Sequence, residues 1–543
     1  MDLFHARTPD IWERLRNNAL ATDIETPAIR ESIDIAQTRL IALLLQNQGG
    51  PLVEVEYLSS YIAQYSSLLA PIRRLPIDVL RTIFLDPALH KTRPATAYNY
   101  RGIVARYSPN GLGAVCHHWR SVTCEMATLW SNLLVFLDWP HQYTIDSFRI
   151  ALSRSRNAPL NLTFKSVSPS PWSTLDDEIM EEVFKHAARW VQVELPLDPR
   201  FLQQLAPIEG RLESLHTLTF TTNDKYTALP PTKAFDFAPK LRHFQLFGSF
   251  SPDISALPVL PWLQLESLHI NSNRDNPEFY HQLLSRTQNA SQLVVSLRDA
   301  REANPQEIMS CELRSLAVYG HCPENRGQES DILKRINAPA LESLAMVYFR
   351  LWKHSTNENV RSFIKRSGCH LRTLRLESIP IRPVDLLELL RMLPTVENFV
   401  LSDLLPNSIT KRVLQSLTFD ASSGDETLLP MMTTFAVDGG YLFDADALLT
   451  MLQSRLMHSH LRPRLVHFDI ILPTLNIPTA RLEEFIADTA IPMAASFSFI
   501  CVNEFRRNTV HRRGTPLFRG RLNFGINWAI YLYVVGSSWV VTA

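Results

Sequence analysis

From residue 190 onward, a short phrase of the form apolar-x-x-apolar-x-apolar returns at a nearly fixed interval, and no other feature restricts the fold as tightly. It reads Leu215-x-x-Leu218-x-Phe220, Leu241-x-x-Phe244-x-Leu246, Leu265-x-x-Leu268-x-Ile270 and Ala290-x-x-Leu293-x-Val295. It continues as Leu313-x-x-Leu316-x-Val318, Leu341-x-x-Leu344-x-Met346, Leu371-x-x-Leu374-x-Leu376 and Val396-x-x-Phe399-x-Leu401. Successive starts lie 26, 24, 25, 23, 28, 30 and 25 residues apart. A period in the mid-twenties marks an array of stacked units. The last two apolar positions are two residues apart, so on a strand they point to one side and need neighbouring copies to bury them. Weaker copies extend the array: Trp190-x-x-Val193-x-Leu195 before it, and Leu414-x-x-Leu417-x-Phe419, Met432-x-x-Phe435-x-Val437 and Leu465-x-x-Phe468-x-Ile470 after it. Helical returns are predicted between them, at 360–367, 383–393 and 444–456. In the second, Pro383 sits near the start, Asp385 adds acidic charge to the first turn, and Leu386, Leu389, Leu390 and Leu393 form the apolar stripe.

The chain has 543 residues, too many for one ordinary core, so several domains or an elongated array is expected. Lys plus Arg and Asp plus Glu both number 54, which gives no global field to attract nucleic acid or an anionic membrane. The six cysteines, at 116, 124, 311, 322, 369 and 501, are too scattered for a disulfide framework and read as reduced thiols. The first twenty residues have no continuous apolar stretch of the secretory kind, so a cytoplasmic or nuclear location is expected.

Near the N-terminus, Ile29, Ile33, Ala36, Leu40 and Leu43 step by four and three, and Gly49-Gly50-Pro51 stops the pattern. Val55, Leu58, Ile62, Tyr65 and Leu69 repeat it, so 29–70 is predicted to be a helical hairpin. Next comes Ile-Arg-Arg-Leu-Pro-Ile-Asp-Val-Leu-Arg-Thr-Ile-Phe-Leu at 72–85, then Ala-Val-Cys-His-His-Trp-Arg-Ser-Val at 114–122. Pro76 is a plausible first helical residue. Val79, Leu80, Ile83 and Phe84 fall on one stripe with Leu75 at its entry, and Val115, Trp119 and Val122 give a second.

Leu75-Pro76, the Ile83-Phe84 pair and Cys116-x-x-Trp119-Arg120 together resemble an F-box. The whole chain looks like the F-box leucine-rich-repeat proteins abundant in fungi. That resemblance implies an α+β multi-domain fold: an N-terminal segment at 1–28, the hairpin, an all-α F-box at 71–135, and an irregular leucine-rich-repeat α/β solenoid at 136–490. An irregular C-terminal tail at 491–543 would close the chain. It also implies a substrate-recognition subunit of a Skp–cullin–F-box ubiquitin ligase that carries no catalytic residue and needs no cofactor. The F-box would bind a Skp-type adaptor, and through it a cullin, by way of Leu75, Pro76, Val79, Leu80, Ile83, Phe84, Val115, Cys116, Trp119 and Arg120. The solenoid would bind a protein substrate. A ligase-independent scaffold for protein–protein interaction, with the helical module capping the array, is the other reading.

Sequence motifs of catalysis are few. The chain lacks a phosphate-binding Gly-rich loop, a His-Glu-x-x-His zinc motif and a Gly-x-Ser-x-Gly nucleophile elbow. Cys116-His117-His118 cannot clamp one metal ion, because adjacent helical residues point about a hundred degrees apart. The spacing of Cys311, Cys322, Cys369 and His370 matches no zinc knuckle. Asp176, Asp177, Glu178, Glu181 and Glu182 read as the solvated start of a helix. Outward strand positions are the ones free to meet a partner: His243, Gln245, His269, Tyr319, Arg375, Glu377, Ser402, Asp420, Asp438 and Asp469. Of these, His243, His269, Tyr319, Arg375 and Glu377 are the substrate-binding candidates. The apolar stretch 526–543 barely reaches bilayer length and is expected to be a loose end rather than a membrane anchor.

Overall fold

The structure is a computed structural model that describes residues 9–45, 52–85, 104–105, 109–137, 142–165, 174–223, 232–249, 254, 257–272, 277–297, 309–310, 312–320, 331–347, 354–402, 408–419, 427–439, 445–457, 465, 467–471, 496–500, 521–524, 528–535 and 538–542. The fold is mixed α/β with a large parallel sheet. Two units divide the chain. One comprises Met1–Pro196, Gln204–His216 and Phe237–Lys240; the other comprises Leu197–Gln203, Thr217–Asp236 and Leu241–Ala543.

The first unit opens with α1 (Pro9–Arg16), α2 (Glu25–Leu45) and α3 (Leu52–Leu69). The α2 start is set by a reciprocal cap. Thr22 Oγ1 accepts from the Glu25 amide at 3.2 Å, and the Glu25 carboxylate accepts from the Thr22 amide at 2.9 Å. Of the predicted heptad positions, Ile29, Ile33 and Ala36 on α2 and Leu58 on α3 are buried, and the other six are partly buried. Ile11 of α1 joins Ile29, Ile33 and Leu68 in the same cluster, so the hairpin packs against a third helix.

A 3-10 turn, Pro71–Arg74, leads into α4 (Ile77–Leu85), followed by β1 (Val104–Ala105), α5 (Pro109–Gly113) and α6 (His117–Glu125). A second 3-10 turn, Ala127–Trp130, runs directly into β2 (Asn132–Phe136). After α7 (Gln142–Ser155), β3 (Leu160–Lys165), α8 (Thr174–Phe184) and β4 (Trp190–Pro196), the order β1-β2-β3-β4 is parallel except for β1, which pairs antiparallel with β2. Strand pairing thus begins at Val104, with β1 and most of β2 inside the stretch expected to be all helical. Asp176, in the first turn of α8, is buried rather than solvated, whereas Glu178 and Glu181 are exposed.

The second unit contains α9 (Pro199–Gln203), β5 (Thr217–Asn223), β6 (His243–Ser249), β7 (Ser267–Ser272), α10 (Pro277–Arg286) and β8 (Gln292–Leu297). It continues with β9 (Met309–Ser310), β10 (Ser315–Gly320), α11 (Asp331–Arg335), β11 (Ile336–Asn337), β12 (Ser343–Val347), α12 (His354–Ser367) and β13 (Thr373–Glu377). Then follow α13 (Pro383–Arg391), β14 (Asn398–Ser402), α14 (Lys411–Leu417), β15 (Thr434–Asp438), α15 (Ala445–Met457), β16 (His467–Ile471) and β17 (Ser496–Ile500). The parallel order is β5-β6-β7-β8-β10-β12-β13-β14-β15-β16-β17, and the two-residue strands β9 and β11 pair with each other.

Register follows the sequence phrase. Leu218, Phe244, Leu268, Leu293, Leu316, Leu344, Leu374, Phe399, Phe435 and Phe468 stand opposite one another strand by strand and are buried. Two residues on, Phe220, Leu246, Ile270, Val295, Val318, Met346, Leu376, Leu401 and Val437 form a second buried row. The face of each strand that carries these rows is the one that needs its neighbours, as the two-residue period requires.

Two expectations are corrected. Leu414-x-x-Leu417-x-Phe419 is not a strand: Thr410 caps α14 by accepting from the Val413 amide at 3.4 Å, and Val413, Leu414 and Leu417 form its buried side. A spacing of three fits a helix face as well as the phrase does, so that copy was ambiguous. The stretch 491–543 is not irregular throughout either, because β17 continues the parallel order. Beyond it, β18 (Arg521–Phe524), β19 (Trp528–Val535) and β20 (Ser538–Thr542) make an antiparallel sheet. Cys311, Cys322, Asp420 and Cys501 lie outside the described residues.

Candidate functional site

Pro76 closes the approach to α4. Its carbonyl accepts from the Leu80 amide at 3.0 Å, which makes it the cap rather than the first helical residue, and Leu75 before it is extended. Nine residues of helix then divide the predicted stripe in two. Leu80 and Phe84 are buried, at 1% and 0% exposure, while Val79 is 42% exposed and Ile83 is partly so.

The partner helix is fixed from its own N-terminus. Cys116 is extended, and its Sγ accepts from the Trp119 amide at 3.4 Å; Arg120 Nε donates back to the Gly113 carbonyl at 2.9 Å. Gly113 permits that approach, since a Cβ there would lie 3.3 Å from Thr123 Oγ1. The Trp119 ring meets Phe84 at 4.7 Å between centroids. Arg81 bridges the same two helices, donating to Glu125 at 3.3 Å and to Asp78 at 3.3 Å. Val115 stands clear at 61% exposure.

Phe84 therefore ties α4 to α6 through the partly buried Trp119, and Leu80 is buried one turn earlier on α4. The residues presented to solvent are Pro76, Val79, Val115 and Arg120, with Leu75, Ile83 and Cys116 half-covered. Sequence reasoning missed Ile72, Ile77 and Leu85, three further exposed apolar side chains around α4. Their signal was faint, because Ile77 and Leu85 lie off the stripe that defines the helix.

On the parallel strands, the candidate residues all fall on the face opposite the two buried rows, but they are not one cluster. His243 on β6 is exposed and His269 on β7 is half-buried, directly opposite Gln245. His269 lies edge-on to Phe247 at 4.7 Å, and burial lowers its imidazole pKa below the ordinary histidine value, favouring the neutral ring. Arg375 and Glu377 on β13 touch, with Arg375 Nε donating to Glu377 Oε2 at 3.0 Å. Tyr319 on β10 stands between these pairs. From β7 to β13 is four strand spacings, about 19 Å, so His269 and Arg375 cannot act on the same small group.

The middle of this face is lined by Val294, Ala317 and Ala345, all partly exposed, with Val400 and Ala436 farther along. These small uncharged residues occupy the x between the last two apolar positions of the phrase, a signal present in the sequence but not used. Arg375 on β13, with Glu377 beside it, interrupts this uncharged row between Ala345 and Val400.

Among the described residues, no group of three or more His, Cys, Asp or Glu is placed to hold a metal ion, and no helix is long and apolar enough to cross a membrane. Compared with models of known protein families and with curated proteins, the chain gives no match.

Proposed function

We propose that the chain is a substrate-recognition subunit of a Skp–cullin–F-box ubiquitin ligase. In this reading, α4 to α6 form the F-box and the phrase-bearing strands form a leucine-rich-repeat-like solenoid that receives a protein substrate. The observation that carries it is a division of labour: Phe84 of α4 and Trp119 of α6 join the helices internally, while Val79 on α4 and Val115 in the turn before α6 remain on the outside. A small helical module whose internal contacts are already made, yet which keeps β-branched residues on its surface, is suited to be covered by another protein.

The chain then works by proximity and has no catalytic residue of its own. Holding a substrate beside a charged conjugating enzyme raises the effective concentration of its lysines. The cytosol or nucleus, where such ligases act, is the proposed location.

The test is co-purification with a Skp-type adaptor. Val79→Asp combined with Val115→Asp changes only exposed positions, so the expected result is a folded protein that no longer retains the adaptor. Leu80 and Phe84 are unsuitable for this test, since charge at either site would break the module itself. A folded double variant that still retains the adaptor overturns the assignment.

One observation favours the scaffold reading. The 3-10 turn Ala127–Trp130, with Leu129 and Trp130 buried, continues directly into β2, which is how a helical cap would join an array of strands. Failure of the unaltered chain to bind the adaptor would leave that reading standing.

A further inference from the structure

Arginine side chains repeatedly close the C-terminal ends of helices from a later element. Arg189 Nε and Nη2 donate to the Ala158 carbonyl at 3.0 and 2.8 Å, just beyond α7, and Nη2 also donates to Ser155 Oγ. In the second unit, Arg366 of α12 donates to the carbonyls of Leu333 and Ile336 at the end of α11. Arg455 of α15 carries the pattern furthest. Its Nε donates to the Leu417 carbonyl, the last of α14, at 2.8 Å. Its Nη1 and Nη2 donate to the carbonyls of Leu429 and Leu428 at 2.7 and 2.6 Å. Its own carbonyl accepts from the Leu465 amide at 3.3 Å, and the side chain is buried.

A second observation falls on the same group. Leu429 has φ of +49°, a left-handed conformation that a bulky side chain adopts only when its surroundings hold it there. Leu429 is buried, and its carbonyl, besides meeting Arg455, accepts from the Met432 amide at 3.1 Å as the chain turns into β15. A helix end collects partial negative charge on its unpaired carbonyls, so a cation placed there is favoured twice, by the hydrogen bonds and by the dipole.

We propose that Arg455 is a latch that holds α14 and the left-handed turn at Leu429 closed on α15, so that its release opens residues 411–419 and 427–438 as a local unit while the strands before them stay paired. The planar fork is essential, because three nitrogens reach three separate carbonyls and a lysine ammonium offers its protons from a single point. Arg366 is the corresponding latch for α11.

Hydrogen exchange of the full chain, read by mass spectrometry, tests this with Arg455→Met, Arg455→Lys and Arg366→Met. For both Arg455 variants the expected result is exchange at least about tenfold faster in 411–419 and 427–438, with β5 to β12 unchanged. For Arg366→Met the acceleration should fall on 331–337 instead. Unchanged exchange in Arg455→Met, restoration by Arg455→Lys, acceleration spread over all strands, failure to fold, or opening of 427–438 by Arg366→Met each overturns the proposal.

Discussion

Phe84 lies against Trp119 with ring centroids 4.7 Å apart and planes inclined by 60°, an aromatic contact that ties α4 to α6. The Arg81–Glu125 pair across the same helices is exposed on both sides and adds little. The module therefore depends on packing rather than charge.

Phe84→Ala removes the ring and leaves a cavity beside Trp119, and it is expected to destabilise the first unit by about 3–5 kcal/mol. Urea denaturation followed by tryptophan fluorescence measures it. Arg81→Ala, by contrast, should change stability by no more than about 0.5 kcal/mol. Equal effects from the two substitutions would contradict a packing-dominated contact.

Acid should loosen the start of α2. Hydrogen bonding from Arg14, then from Thr22, holds the Glu25 carboxyl at about 2, below its ordinary 4.5. Because the folded value is depressed, the stabilisation is fully present above pH 4.5 and fades as pH falls towards 2. Circular dichroism between these limits should show helix loss that Glu25→Gln no longer couples to pH. An identical acid profile in that variant would remove Glu25 from the account.

The two faces of the strands should respond differently to substitution. Leu344→Ala, in the buried row, is expected to cost about 2–5 kcal/mol, while Ala345→Ser, one residue on and facing out, should stay within about 0.5 kcal/mol. Chemical denaturation of both variants decides it, and a large loss at Ala345 would mean that the outward face is covered.

Gly368 ends α12 with φ of +57°, and its amide donates to the Ile364 carbonyl at 3.0 Å. Nothing lies within 4 Å of where a Cβ would stand, so Gly368→Ala tests backbone conformation alone. A loss of about 1 kcal/mol is expected, read as a lower melting temperature.

The strand register was legible because the phrase states both the period and the inward face: Leu344 sits opposite Leu374 and Met346 opposite Leu376, as the spacing requires. Leu414 and Leu417 were misread because three-residue spacing serves a helix equally well, and only the Thr410 cap separates the alternatives. The burial of Asp176 was hidden because acidic residues at a helix start ordinarily face water. On α4 the stripe put Val79, Leu80, Ile83 and Phe84 together, whereas the structure buries only Leu80 and Phe84, because periodicity gives the direction of a face and not its breadth. Which of the four the chain itself covers depends on where α6 lies, and that comes from contacts some thirty-five residues apart in sequence, such as Phe84 with Trp119. The outward face of the strands was legible but not its character: between His269 and Arg375 it carries Val294, Ala317 and Ala345, whose small size gives periodicity no signal.

From β5 to β16 every strand of the parallel order meets its neighbour at the same step of the phrase, although the spacing between consecutive phrase starts varies from 23 to 36 residues. Length can therefore drift freely in the connections, where a gained or lost residue only resizes a bend. The same event within 373–377 would trade inside for outside, sending Arg375 into the hydrocarbon interior and Leu374 and Leu376 into water. Descendants of this chain should accumulate insertions and deletions in those bends rather than in the strands.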